Sequence, residues 1–136
     1  MQVQISDGDM AVRSVLIVED EALVSILIED LVRDLGATDV QIFGNAASAL
    51  KAAEIGDFDV AVLDVLLADG DSREIADALA RRGIPFLFST GSGSDSLPER
   101  HRDRPMIIKP FPDGDLQALL LKTLRDTRRD AIPQAA

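Results

Sequence analysis

Short apolar runs alternate with stretches of helical spacing along the chain. Residues 15–18 (VLIV) form a continuous, mostly β-branched run, as expected of a strand covered on both faces. Over residues 21–35 the apolar positions change to a period near 3.6, and Gly36 supplies a stop. Residues 40–43 read as a second strand, followed by a helix that Asn45 can cap and that runs to about Ile55 before Gly56. Residues 60–63 (VAVL) form a third buried strand. Asp71 and Glu74 have capping-box spacing and predict a helix ending near Arg82 and Gly83. Residues 86–88 after Pro85 read as strand four, 106–108 as strand five, and 112–128 as a closing helix. The stretch between Thr90 and Pro105 (GSGSDSLPERHRDR) is rich in Gly, Ser and charge, so it predicts a mobile loop with at most a short helix near residues 98–102. Alternation of this kind predicts an α/β domain with a parallel sheet, helices on both faces and right-handed crossovers. Residues 14–128 form the expected domain, with flexible segments at 1–13 and 129–136.

Length and charge narrow the function. A chain of 136 residues suits one domain with a core that needs no metal or disulfide staple. Its 46% hydrophobic content excludes a disordered chain, and the absence of cysteine removes thiolate metal sites and any need for an oxidising compartment. No clear signal peptide or membrane-length run is present, so a cytoplasmic location is expected, away from the membrane. The net charge of −10 makes the chain a poor match for a nucleic acid and points to proteins or small ions as partners.

In an open parallel sheet, ligands bind beyond the carboxyl ends of the strands. The residues expected there are Glu19, Asp20 and Glu21 after strand one and Asp64 after strand three. Ser89 and Thr90 follow strand four, and Lys109 and Pro110 follow strand five. Several carboxylates held together repel unless a cation compensates. A hard divalent ion such as Mg²⁺ suits oxygen ligands, while a lysine and a hydroxyl beside it suit a second anion. The set reads as a phosphoryl site whose protein anchor is itself a carboxylate. Each member alone has a plainer origin: acids favoured at a helix N-terminus, turn residues, a solvated lysine. Their coincidence at the same end of four strands favours the site.

The motifs VLIVEDE, LD at the end of strand three, FST-G after strand four and IIKPF after strand five resemble those of bacterial response-regulator receiver domains. The resemblance runs from about Val15 to Leu124 in the family's order and spacing. It implies a flavodoxin-like, doubly wound, five-stranded parallel sheet, here with a short or irregular fourth helix. It also implies a phosphoacceptor at Asp64, Mg²⁺ held by Glu19, Asp20, Asp64 and the Leu66 backbone carbonyl, a switch hydroxyl at Thr90 and a phosphoryl-pairing lysine at Lys109. The implied phosphodonor is a histidine kinase or a histidine phosphotransfer protein, with a downstream protein as output. Chemistry is then confined to the domain's own phosphorylation and dephosphorylation. Residues 85–93 (PFLFSTGSG) are similar to the Phe-Ala-Thr-Gly signature of stand-alone alphaproteobacterial receivers, some of which act in stress signalling, with Ser89 in place of the Ala.

Departures from the pattern sharpen the expectations. The aromatic that usually reports the switch on strand five is Met106 here, and the Thr90–Lys109 stretch is short and polar. Leu66 and Ser92 match positions that tune hydrolysis, and an apolar Leu66 cannot orient an attacking water, which implies a long-lived phosphoryl group. On the first helix, Val24, Leu27, Ile28, Leu31, Val32 and Leu35 form the expected core face. Leu23 and Ile26 fall on its polar side, either as scattered apolar residues or as a docking patch. His101 reads as a surface residue and the 91–96 loop as flexible. Two other readings stay open: a constitutive interaction module with a vestigial site, and a Mg²⁺-dependent aspartyl phosphohydrolase. The second lacks the Asp expected two residues after Asp64.

Overall fold

The computed structural model describes residues 12–91, 96–112 and 114–131. Five strands form one parallel sheet in the order β2-β1-β3-β6-β7. They are β1 (Ser14–Val18), β2 (Asp39–Phe43), β3 (Val60–Asp64), β6 (Phe86–Thr90) and β7 (Met106–Ile108). This is the flavodoxin-like arrangement, with the strand order reversing between β1 and β3. Four α-helices, α1 (Ala22–Asp34), α2 (Ala46–Ile55), α3 (Arg73–Arg81) and α4 (Asp115–Ala131), cover the sheet. Alternate strand residues feed two apolar layers. Leu16, Val18, Leu63, Phe86 and Phe88 pack with α2 and α3. Val15, Ile17, Val62 and Leu87 pack with α1 and α4. All residues of β3 and β6 are buried, which explains their unbroken apolar runs.

Several local expectations hold, and others need correction. Asn45 caps α2, its side chain accepting from the Ser48 N–H at 2.9 Å. Among the described residues, a 3-10 turn, Glu99–His101, stands where the weak fourth helix is expected. The N-cap of α3 is Ser72 rather than Asp71, and Ser72 makes no side-chain cap hydrogen bond. Asp71 ends a small hairpin, β4 (Leu66–Leu67) with β5 (Gly70–Asp71), that the sequence pattern did not reveal. From there its carboxylate accepts from the Arg73 N–H at 2.9 Å. On α1, Leu27 is exposed and Ser25 is buried in its stead. Burial of Ser25 is tolerated because its hydroxyl donates to the Ala22 carbonyl at 2.8 Å.

Near the chain ends, Val12 is buried in the α1/α4 layer. The Arg13 N–H donates to Asp59 at 2.9 Å. Helix α4 runs to Ala131, beyond residue 128, because no helix breaker precedes Pro133. The remainder of the two predicted flexible ends, and Ser92, lie outside the described residues.

His101 is a clear correction. It is 5% exposed, its ring lies edge-on to Phe86 at a centroid separation of 5.5 Å, and its Nε2 is 2.7 Å from Asp77 Oδ1. With a turn in place of a full helix over Phe86 and Phe88, the His101 ring and Leu97 supply the cover. Asp77 lies on α3, far away in sequence, and satisfies the ring nitrogen.

Ser89 is 0% exposed and its hydroxyl has no hydrogen-bond partner among the described residues. A buried, unsatisfied hydroxyl costs about 1–3 kcal/mol. Ser89→Ala is expected to stabilise the fold by about 1 kcal/mol, raising the melting temperature by roughly 3–5 °C. A calorimetric scan showing a lower melting temperature for the variant would contradict this account.

Candidate functional site

Parallel strands end at one edge of the sheet, so the residues that follow them share one rim. Asp64 closes β3 and Thr90 closes β6. Glu19 to Glu21 join β1 to α1, and Lys109 follows β7, where the Lys109–Pro110 peptide is cis. The Glu19 N–H donates to the Phe43 carbonyl at 3.0 Å, which ties the acidic loop to the end of β2. A cleft of about 360 Å³ opens at this rim, lined by Asp20, Glu21, Asp64, Leu66, Thr90, Gly91 and Lys109. A larger groove of about 820 Å³, between the 3-10 turn and α4, contains none of these side chains.

Lys109 organises the cleft. Its Nζ lies 3.0 Å from Glu19 Oε1, 3.3 Å from Asp64 Oδ2 and 3.6 Å from Glu21 Oε1. Glu19 is buried and fully engaged, because its second oxygen accepts from the Glu21 N–H at 3.0 Å. Burial pushes the Glu19 carboxyl above its ordinary range, against the lowering effect of the Glu21 N–H and Lys109, with the Asp64 charge adding to the rise. Burial also acts to lower Lys109, but the hydrogen bond it donates to Glu19 and the charges of Asp64 and Glu19 outweigh it and leave the ammonium above its ordinary value. The lysine is therefore held charged at neutral pH.

Of the residues singled out from sequence, the cleft brings together Asp20, Asp64, Leu66, Thr90 and Lys109, with Glu19 directly behind them. Thr90 Oγ1 lies 3.4 Å from Ser96 Oγ. Ser89 and Met106 do not line the cleft. Ser89 alternates with Thr90 along β6, and Met106 is half-buried against the α2/α3 layer. Leu23 and Ile26 lie on the open side of α1, 83% and 52% exposed. Glu21, expected at this edge with Glu19 and Asp20 although the resemblance gives it no role, also lines the cleft, and so does Gly91, which was not singled out.

The donor set suits a hard dication. Glu19, Asp20 and Glu21 each offer a carboxylate oxygen within 4.8 Å of the others, and Asp64 adds a fourth carboxylate on the same lysine. Four acids against one ammonium leave an excess of negative charge, and every donor is oxygen.

The loop after Asp64 is itself anchored. The hairpin turn carries Asp69, whose carboxylate accepts from the Ala46 N–H at 2.6 Å and the Ala47 N–H at 3.3 Å, at the start of α2. The Ala46 bond, reinforced by Ala47, holds the Asp69 carboxyl below the usual aspartate range.

Comparison with known proteins identifies the family. Residues 15–121 match the family described as the response regulator receiver domain. The chain is 34% identical over 116 residues to the transcriptional regulatory protein PdtaR of Mycobacterium tuberculosis, covering 82% of this chain and 57% of that protein. It thus spans little more than half the length of that curated relative. The solution structure of SdrG from Sphingomonas melonis Fr1 is 45% identical, with a TM-score of 0.70, and covers 82% of this chain and 98% of that one. PhyR from Bartonella quintana, an anti-anti-sigma factor, is 26% identical with a TM-score of 0.70, and covers 89% of this chain and 53% of that one. The chain belongs to the response-regulator receiver family. Among the described residues, no helix is long and apolar enough to cross a membrane.

Asp69 gives a pH signature. A carboxyl lowered by folding adds stability above its unfolded value and loses that contribution as pH falls through its folded value. The melting-temperature deficit of Asp69→Asn is expected at pH 7. It closes in acid, below about pH 4, where the wild type loses the same charge. A deficit that stays constant down to the lowest pH of a circular-dichroism melt series would refute the assignment.

Proposed function

We propose that this receiver accepts a phosphoryl group on Asp64 from a phosphohistidine of a histidine kinase or histidine phosphotransfer protein. The observation that carries the reading is Lys109, held between Asp64 and buried Glu19 in an oxygen-lined cleft at the carboxyl edge of the sheet. In the transfer, the phosphorus–nitrogen bond of the donor breaks and a phosphorus–oxygen bond forms to an Asp64 carboxylate oxygen. The leaving imidazole keeps the electron pair.

Within the cleft, Asp20, Asp64 and the Leu66 backbone carbonyl would hold Mg²⁺. Glu19 supports them from behind, with both of its oxygens already engaged. When bound, Mg²⁺ supplies positive charge that offsets the repulsion between the acids and an incoming phosphoryl oxygen. Lys109 pairs with the new anion, and the Thr90 hydroxyl donates to one of its oxygens. The added charge of about −1.5 to −2 then draws Thr90 toward Asp64 and pulls on the segment that follows. Output runs through a protein partner or by passing phosphate along a relay. The likeness to PhyR, an anti-anti-sigma factor, supports output through a protein partner.

The donor docks on the open side of α1 beside the acidic loop. Leu23 and Ile26, 83% and 52% exposed, give this side of α1 two neighbouring apolar side chains beside the cleft.

Incubation with Mg²⁺ and a small phosphodonor is expected to add the mass of one phosphoryl group to the wild type and none to Asp64→Asn, read by intact-mass spectrometry. Chelation of the metal should abolish the gain. Equal labelling of both proteins would overturn the acceptor assignment, and an unlabelled wild type would favour an interaction module with a vestigial site.

Leu23→Asp combined with Ile26→Asp is expected to slow transfer from a phosphorylated histidine phosphotransfer protein about tenfold or more. Labelling by the small phosphodonor should stay within twofold of wild type. Parallel losses with both donors would dismiss the docking role.

A further inference from the structure

The two halves of the proposed metal site come from different parts of the chain, and one turn separates them. The acidic loop carrying Asp20 follows β1, while the hairpin carrying Leu66 follows β3. The turn from β2 into α2 lies against both. On one side the Glu19 N–H donates to the Phe43 carbonyl at 3.0 Å. A Cβ built on Gly44 would sit 3.7 Å from the Glu19 carbonyl oxygen and 3.8 Å from Asp20 Cα, so the backbones of the turn and the acidic loop are in close contact. On the other side, the Ala46 and Ala47 N–H groups donate to Asp69 in the tip of the β4–β5 hairpin.

The hairpin is short, and its register is tight. Leu66 pairs with Asp71 and Leu67 with Gly70, so a shift at Asp69 moves the Leu66 backbone with it. The far end of the hairpin is held separately: the Ser72 N–H donates to the Val65 carbonyl at 3.0 Å, and Asp71 accepts from the Arg73 N–H. Toward α2, the hydrogen bonds among the described residues run through Asp69 alone. Below it, the Leu67 side chain is buried in the α2/α3 layer, an apolar contact that carries no hydrogen bond.

We infer that Asp69 is a positioning residue for the metal site, a clasp that sets the distance between the Leu66 carbonyl and Asp20 by fastening the hairpin to the α2 N-terminus. The inference rests on the reading of the cleft as a Mg²⁺-dependent phosphoacceptor site. Asp69 does not line the cleft and touches neither metal nor phosphoryl group; it acts through the backbone of residues 66–71. Its two N–H partners also give the hairpin a polar attachment that an apolar turn residue cannot replace.

Mg²⁺ titration of the full unphosphorylated chain by isothermal calorimetry tests this, with Asp69→Ala, Asp69→Asn and Asn45→Ala beside the wild type. Asn45→Ala removes a cap from the same helix end but leaves the hairpin attached, since the Asn45 side chain accepts from Ser48. Asp69→Ala should weaken Mg²⁺ binding about tenfold, the lower end of the loss seen when a group that orients a metal ligand is removed. Asp69→Asn keeps an acceptor for the Ala46 N–H while losing the charge, and should recover much of that loss. Asn45→Ala should melt at a lower temperature than wild type yet bind Mg²⁺ within twofold of it.

Wild-type affinity in Asp69→Ala would overturn the inference. Equal weakening in Asp69→Asn and Asp69→Ala would do so too, by assigning the effect to bare charge. Equal weakening in Asn45→Ala would reduce it to a general loss of helix order. Absence of Mg²⁺ binding in the wild type would overturn the metal reading itself, and the two failures are therefore told apart by the wild-type titration.

Discussion

Four carboxylates at one rim of a parallel sheet repel one another, and Lys109 lies among them as the counter-charge. Its ammonium bridges Glu19 and Asp64 across two strand ends. A charge pair buried in this way is a weak source of stability, since desolvation offsets much of the attraction. Its value here is geometric. Glu19, with one oxygen on Lys109 and the other on the Glu21 N–H, has little freedom left, so the acidic loop is fixed relative to β7 as well as β2. Asp20 and Glu21, both exposed, are left as the acids open to a ligand.

This division of labour accounts for the different environments of neighbouring acids. Glu19 is buried and carries the structural role, while Asp20 faces solvent at the cleft. Asp64 sits between, mostly buried but lining the opening, where one of its oxygens meets the lysine. A carboxylate that must serve as an anchor needs both a counter-charge and an open approach, and the end of a buried central strand supplies the two together.

Much of the site was legible in the sequence because a parallel sheet makes it so. Once 60–63 and 86–88 are read as strands, Asp64 and Thr90 can only be at the carboxyl edge, and Lys109 follows by the same argument. Two of the features that escape the sequence share one property: their partners lie far along the chain. His101 looks like a surface residue in sequence because Asp77 and the Phe86 ring, which give it a buried place, are not its sequence neighbours. The β4–β5 hairpin has two residues per strand, too few for any periodicity to show. Its attachment to α2 through Asp69 spans more than twenty residues. The shift of the buried face of α1 toward Ser25 was hidden for another reason, since a serine that satisfies itself on the preceding turn looks polar in sequence and behaves as filler in the core.

The 3-10 turn has a consequence for the energetics of rearrangement. A full helix in that place would carry its own ladder of hydrogen bonds and would have to move as a rod. Among the described residues of the connection between β6 and β7, the fastenings include the buried Leu97 side chain, the Thr90–Ser96 hydroxyl contact, the His101–Asp77 contact, the Arg100–Asp77 ion pair and the guanidinium of Arg104 resting 4.4 Å over the Phe86 ring. These are side-chain attachments to α3 and β6, separate from the backbone ladder of the five-stranded sheet. Segments attached in this way are the ones from which local opening below the global unfolding free energy is drawn.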